Sequence, residues 1–221
     1  AAEEEWRPFA ERTRQLFRFL AEHQKPGALA KYEERVAAEF AVLGCLVIDA
    51  DRLNHEVLRL PETVKTLQSW WGPDVADAAG EPDRRKIADL IFSDADKKAR
   101  LEALVHPLIR ARRAAMIRAV EKDPAVTAIV IDSPLLLESS LDRECDTIVF
   151  VSASDSMRQR RLGAARGWNV EELRRREGWQ LAPAEKRARA EFVVENDGPE
   201  DELRPQVADI LRKVLGKRSQ P

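Results

Sequence analysis

Residues 40–58, FAVLGCLVIDADRLNHEVL, carry the clearest indication of the fold. It contains the end of an amphipathic helical pattern, then Gly44, a short apolar run over residues 45–48, and two acidic residues, Asp49 and Asp51. Glycine often ends a helix, and a short apolar run without alternation is typical of a strand buried on both faces. The stretch therefore predicts a helix, a buried strand and a second helix, with carboxylates where the strand ends.

Three further apolar runs, rich in Val and Ile, resemble this strand. They span residues 128–131, 147–153 and 192–194, and helical segments separate them. Buried strands that alternate with helices predict an α/β fold with a doubly wound parallel sheet flanked by helices. Ligands of such sheets bind beyond the carboxyl ends of the strands, and Asp132 follows the second of these runs.

The remaining sequence is mostly helical in pattern. Apolar residues at helical spacing over residues 3–23 predict an N-terminal helix. Residues 95–121 predict a helical region interrupted at His106-Pro107, because proline lacks a backbone donor. The predicted organisation is a helical extension over residues 1–25, an α/β domain over 26–216 with a helical lid at about 154–190, and a tail over 217–221.

Composition excludes several classes of protein. Of the 221 residues 44% are hydrophobic and 34% charged, and the net charge of −2 gives no reason to expect nucleic acid or a membrane as partner. The two cysteines are far apart in the sequence, so no direct motif predicts a metal site or disulfide. The first residues, AAEEEWRPF, are unlike a signal peptide, and the cytoplasm is the expected location. Oligomeric state is not predicted.

Several residues have two readings. Asp49 and Asp51, on one side of an extended chain, would hold a metal-bound phosphate or accept a proton from a hydroxyl; equally, one of them caps the next helix. Asp132 is similar to the metal-supporting acid of nucleotide-binding proteins, although that pattern is common. His106 has two interpretations. It binds a ligand, or it has a structural role, which is more common for a lone histidine at a helix break. The Trp70-Trp71 pair is more typical of a core or of the wall of a cleft than of a platform on which a ligand stacks.

A basic segment lies between residues 158 and 189 and includes Arg161 and Arg166. Arginines on a helical lid would neutralise charge that develops on a transferred phosphoryl group. The alternative is a solvated helical face with acidic neighbours.

The order of these motifs resembles that of the dephospho-coenzyme A (dephospho-CoA) kinases over about residues 36–215. The matching strings after residues 40–58 are WWGPDVADAAGEPDRRKIADLIFSD (70–94), LEALVHPLI (101–109), VIDSPLLLES (130–139), CDTIVFVSA (145–153) and RGWNVEELRRREGWQLAPAEKRARAEFVVENDG (166–198). The resemblance implies a P-loop kinase-like fold and transfer of the γ-phosphate of ATP, with Mg²⁺, to the ribose 3′-hydroxyl of dephospho-CoA.

The resemblance also implies roles for individual residues. Asp51 matches the general base. The substrate-binding positions are Asp49, Arg84, His106, Pro107 and the strand-end acid Asp132. Arg161 and Arg166 fall in the lid, and Asn196 and Gly198 match a turn near the nucleotide base.

The sequence departs from the family at the phosphate-binding Walker A loop. Where the family has G-G-I-G-S-G-K-S-T, residues 27–35 read GALAKYEER, so that only Gly27 matches. Glu33 replaces the lysine, Glu34 replaces the metal-binding hydroxyl, and Lys31 lies two positions early. No β-branched run precedes Gly27, which predicts that the family's first strand is missing too and that the N-terminal helix or residues 27–31 cover the exposed edge.

Natural divergence and an error in the sequence across this segment would give the same pattern. The leading hypothesis is an enzyme that performs the family reaction. The alternative is a catalytically impaired member that binds dephospho-CoA or CoA without phosphoryl transfer. A scaffold or interaction module fits less well, because it has no need of Asp51 or Arg84.

Overall fold

The computed structural model describes residues 16–21, 30–154, 180–198 and 202–217. Two compact units make up the chain. The sheet unit contains the described residues up to Ile48 and those from Val120 onward, and the helical unit is Asp49–Ala119.

The described elements number five strands and seven helices. In chain order they are β1 (Leu16–Ala21), α1 (Ala30–Val42), β2 (Leu46–Asp49), α2 (Ala50–Leu58), α3 (Pro61–Trp71), α4 (Arg84–Ser93), α5 (Ala95–Val120), β3 (Ile129–Asp132), β4 (Thr147–Ser152), α6 (Pro183–Arg189), β5 (Phe192–Glu195) and α7 (Leu203–Lys217). Short 3₁₀ turns cover Pro73–Val75 and Leu141–Glu144.

The sheet has the strand order β2-β3-β1-β4-β5. β1 pairs in parallel with β3 on one side and with β4 on the other, and β4 pairs in parallel with β5. All four apolar runs singled out in the sequence are strands, so the predicted α/β fold with a parallel sheet is confirmed.

The central strand, β1, corrects two predictions. The helix expected over residues 3–23 is wrong for residues 16–21, and the family's first strand is present rather than missing. LFRFLA fits a helical stripe and a buried strand equally well, since periodicity cannot separate them in so short a segment. Backbone pairing with β3 and β4 on both sides favours the strand. The rest of the predicted N-terminal extension lies outside the described residues.

Both faces of the sheet are covered. Successive residues of a strand point to opposite faces. On β4, Val149 packs with α1 and α7 through Phe40 and Val207, whereas Phe150 packs with Leu136 from the segment after β3. Helices therefore lie against one face, and the segment after β3 lies against the other.

Cys45 belongs to the core beneath α1. Burial raises the pKa of its thiol to about 11, so Cys45 is not a nucleophile near neutral pH.

The helical unit has its own apolar core, which includes Val57, Leu67, Ile87 and Leu101. An ion pair between Arg112 Nη1 and Glu56 Oε2, 3.1 Å apart, joins α5 to α2. In the described part of the chain, no helix combines the length and the apolar character that crossing a membrane requires.

Helix α5 runs without a break through Pro107, so the interruption predicted there is wrong. Proline removes one intrahelical hydrogen bond, the one to the carbonyl of Ala103. Both Ala103 and Pro107 lie on the exposed side of the helix, where water can bind that carbonyl. Leu101 and Val105 on the opposite side are buried and hold the helix against the core.

Replacing Gly44 by alanine is expected to destabilise the protein by about 1–3 kcal/mol. Gly44 has a φ of 82°, and a Cβ there would lie 3.0 Å from Thr127 Oγ1 and 3.2 Å from the Ala125 carbonyl oxygen. Gly216→Ala in α7 is the matched control, because a Cβ there meets nothing within 4 Å, and alanine is favoured over glycine in helices by up to about 1 kcal/mol. Urea denaturation measures both. Equal losses of unfolding free energy in the two variants would contradict this account of Gly44.

Candidate active site

The sheet changes its direction of winding between β1 and β3. Helix α1, the next described element after β1, packs on one face of the sheet through Phe40, whereas Leu136 and Leu137, which follow β3, pack on the opposite face. Adjacent parallel strands whose continuations diverge in this way leave a crevice at their carboxyl ends, and this is where α/β proteins bind ligands. The sheet unit therefore has one topologically defined position for a ligand.

Asp132 lies at this crevice. It is the last residue of β3, in register with Phe19 of β1, and it is only 6% exposed. All four residues of β3 are buried because the strand lies between β1 and β2. Asp132 is thus placed where the sequence predicted, at a strand end.

Asn196 and Gly198 form a turn fixed to the end of β4. The Asn196 N–H donates to the Ser152 carbonyl at 2.8 Å, and the Ser154 N–H donates to Asp197 Oδ1 at 2.7 Å. Asn196 is 1% exposed. A Cβ at Gly198 would collide with the side chain of Glu202, so the turn passes close to the start of α7.

Helix α1 begins earlier than the family motif requires. It starts at Ala30, so Lys31, Glu33 and Glu34 are its second, fourth and fifth residues. The start of a helix attracts anions through its free N–H groups. The residues that the sequence places in this part of the helix, Glu33 and Glu34, are acidic. Gly27 lies outside the described residues.

In the helical unit, Asp49 and Asp51 differ from the extended arrangement that the sequence predicted. The strand ends at Asp49 and the helix begins at Ala50, so the two carboxylates do not share one side of an extended chain. Asp49 caps α2, since its Oδ1 accepts from the Arg52 N–H at 2.9 Å. The capping alternative is confirmed for Asp49, and Asp51 is a half-buried residue in the first turn of α2.

Arg84 is the first residue of α4 and is exposed. Asp83 caps this helix by accepting from the N–H groups of Arg85 and Lys86, both at 3.1 Å. The preceding loop is held by Asp77, whose Oδ1 accepts from the Glu81 N–H at 2.9 Å. Arg84 therefore extends from a preformed turn.

His106 and Pro107 are neighbours in the middle of α5, and both are exposed. Their side chains are thus open to a ligand, and neither belongs to the apolar core of the helical unit.

Among the residues that the structure describes, no three His, Cys, Asp or Glu side chains form a group that could hold a metal ion. Arg161 and Arg166 lie outside those residues, so their predicted role in a lid stays a prediction.

Sequence reasoning missed a buried charge cluster in the sheet unit. Lys186 belongs to the basic segment of residues 158–189, for which a solvated helical face was one interpretation, yet it is 1% exposed and lies 3.0 Å from Glu138. The one signal in the sequence was that Glu138 belongs to the matching string VIDSPLLLES.

Comparison with known proteins assigns the family. The sequence model described as dephospho-CoA kinase matches residues 27–202. A dephospho-CoA kinase of Geobacillus kaustophilus is 34% identical over 188 residues, which is 85% of this chain and 93% of that protein. This chain belongs to the dephospho-CoA kinase family.

Other members and solved structures agree with the assignment. The dephospho-CoA kinase of Chlorobaculum tepidum is 33% identical over 86% of this chain and 92% of its own length. The crystal structure of the protein TT1252 from Thermus thermophilus has a TM-score of 0.74 at 28% identity, covering 91% of this chain and 98% of that one. A dephospho-CoA kinase from Campylobacter jejuni has a TM-score of 0.58 at 19% identity, with coverages of 90% and 97%, and supports the fold alone.

Membership of this family indicates the kinds of ligand that a protein of this fold binds. The dephospho-CoA kinase family uses dephospho-CoA as substrate, and its members are kinases, which bind a nucleotide together with a divalent metal ion.

Proposed function

We propose that this chain transfers the γ-phosphoryl group of ATP to the ribose 3′-hydroxyl of dephospho-CoA, and that its donor site is weakened. The observation that supports this most directly is the crevice at the carboxyl ends of β1 and β3, with the buried Asp132 at its edge, in a chain whose family is established.

On the acceptor side, Asp51 is the proposed base for the 3′-hydroxyl. A half-buried carboxylate in the first turn of a helix is held in a defined position and remains partly accessible. Arg84 is the proposed contact for the acceptor's phosphates, because it extends from a capped turn and is exposed. Asp49 supports this arrangement as the cap of α2. His106 and Pro107 complete the proposed acceptor side.

On the donor side, we assign contact with the metal ion to Asp132. Asp132 is an oxygen ligand of the type that Mg²⁺ prefers, and bound Mg²⁺ would neutralise charge on the phosphates of ATP. Glu33 and Glu34 at the start of α1 repel those phosphates. We therefore assign the remaining grip on the phosphates to Arg161 and Arg166, and contact with the base to Asn196 and Gly198.

A second candidate function is binding of dephospho-CoA or CoA without phosphoryl transfer. The specific observation in its favour is the sequence GALAKYEER at residues 27–35, which lacks the glycines, the lysine and the hydroxyl of the family loop. We propose the cytoplasm as the location for either function, because both cysteines are free, as expected in a reducing compartment.

Mass spectrometry of the nucleotide products distinguishes the two functions. Incubation with ATP, Mg²⁺ and dephospho-CoA is expected to give coenzyme A and ADP in equal amounts, and omission of any component is expected to give none. Calorimetric titration with dephospho-CoA alone measures the acceptor site separately. Heat of binding without any product would replace the proposed kinase activity by the second candidate.

A further inference from the structure

Lys186 of α6 lies at the centre of a buried polar network in the sheet unit. Its Nζ is 3.0 Å from Glu138 Oε1, and it donates to the Pro134 carbonyl at 3.0 Å and to Gln180 Oε1 at 2.9 Å. Glu138 Oε1 also accepts from the Leu181 N–H at 2.9 Å. The three protons of the ammonium thus have three partners, which fixes its position.

This network joins two segments that are distant in the sequence. Pro134 and Glu138 lie on the segment that follows Asp132. Gln180 and Leu181 lie just before α6, and Lys186 lies within that helix. Lys186 holds the first segment at the Pro134 carbonyl, two residues after Asp132, and again at Glu138. The backbone of residues 134–138, directly after β3, is therefore held in place.

The same network is poorly suited to adding stability. Burying an ion pair costs desolvation energy. The attraction between the two charges often only balances this cost. In the described part of the chain, Glu138 Oε2 and Gln180 Nε2 are buried without a hydrogen-bond partner, which adds to the cost. Apolar contacts of Leu136 with Phe150 already hold the segment against the sheet. What the ion pair adds is a fixed position.

We propose that Lys186 and Glu138 are positioning residues, which hold the turn after β3 so that Asp132 keeps its place at the crevice. Neither residue needs to touch substrate. The part of this inference that concerns catalysis rests on the proposed function, since it takes Asp132 to act on the nucleotide and its metal ion.

The test uses the double variant Lys186→Met/Glu138→Gln, which removes both charges together. A single Lys186→Met change would leave Glu138 buried and unpaired, and the chain could then fail to fold. Glutamine keeps an oxygen that accepts from Leu181. Arg189→Met is the matched control, because Arg189 is on the same helix and, among the residues that the structure describes, forms an ion pair only with exposed Glu185, at 2.6 Å.

In the double variant we expect hydrogen exchange at the amides of residues 133 and 135–138 to become at least tenfold faster, with no change in α7. We expect kcat to fall at least tenfold, KM for dephospho-CoA to stay within about threefold, and the melting temperature to stay within about 4 °C. Arg189→Met should change none of these. Unchanged exchange at the amides of residues 133 and 135–138, an equal rise in α7, or an unchanged kcat would overturn the inference. A parent chain without kinase activity would refute the proposed function instead, and the exchange data would still decide whether the pair holds the turn.

Discussion

Replacing Asp51 by asparagine is expected to lower kcat for coenzyme A formation by about 10²–10⁴-fold, the range in which a positioned general base contributes. Asparagine has nearly the same shape but cannot accept the proton of the 3′-hydroxyl. KM for dephospho-CoA should stay within about threefold, because the lost interaction acts mainly in the transition state. Steady-state assays with saturating ATP measure both constants.

Glu62→Gln is the control for this prediction. Glu62 is an exposed carboxylate in the first turn of α3, just as Asp51 is a carboxylate in the first turn of α2. Either substitution removes a favourable charge at a helix start, which is worth about 0.3–1 kcal/mol of stability. Only the Asp51 change should affect kcat. An Asp51→Asn enzyme with parental kcat would remove Asp51 from the reaction.

Replacing Glu33 by lysine is expected to lower KM for ATP by about a hundredfold. A unit charge about 4 Å from a phosphate contributes roughly 4 kcal/mol at an effective dielectric near 20, so that reversing its sign changes the interaction by about 8 kcal/mol. Screening by salt and movement of the side chain reduce this value. A hundredfold change corresponds to about 2.7 kcal/mol and is thus a conservative expectation.

Glu62→Lys is the matched control for the charge reversal, since it makes the same change in the first turn of a different helix. It should leave KM for ATP unchanged, whereas Glu33→Lys should lower it and leave KM for dephospho-CoA as it was. Equal responses to the two reversals would mean that the start of α1 does not face the phosphates of ATP.

Four of the five strands could be predicted from the sequence, and β1 could not. The runs at β2 to β5 are short, apolar and rich in Val and Ile, and they lie between helical segments. In LFRFLA the Phe and Leu residues fit the period of a helix as well as that of a strand. The strand is specified by its two neighbours, β3 and β4, which are more than a hundred residues away. Such long-range pairing leaves no local signal.

The position of a site residue was predictable where a polar residue follows directly on a predicted strand, because the end of the strand determines where that residue lies. Asp132 and Asn196 are placed at the carboxyl ends of β3 and β5, as their sequence positions indicated. The relation of Asp49 to Asp51 was not predictable, because it depends on whether the strand or the helix includes Ala50. The burial of Lys186 was not predictable either, since its partners Glu138 and Pro134 are about fifty residues away in the sequence.

The rate of coenzyme A formation as a function of ATP concentration, at saturating dephospho-CoA and Mg²⁺, measures how strongly the donor site is weakened. We expect product formation that saturates in dephospho-CoA and requires ATP at about 1 mM or more, the upper end of ordinary KM values. Absence of coenzyme A at every ATP concentration, or half-saturation at a few micromolar ATP, would contradict a kinase whose acceptor site is retained and whose phosphate cradle is weakened.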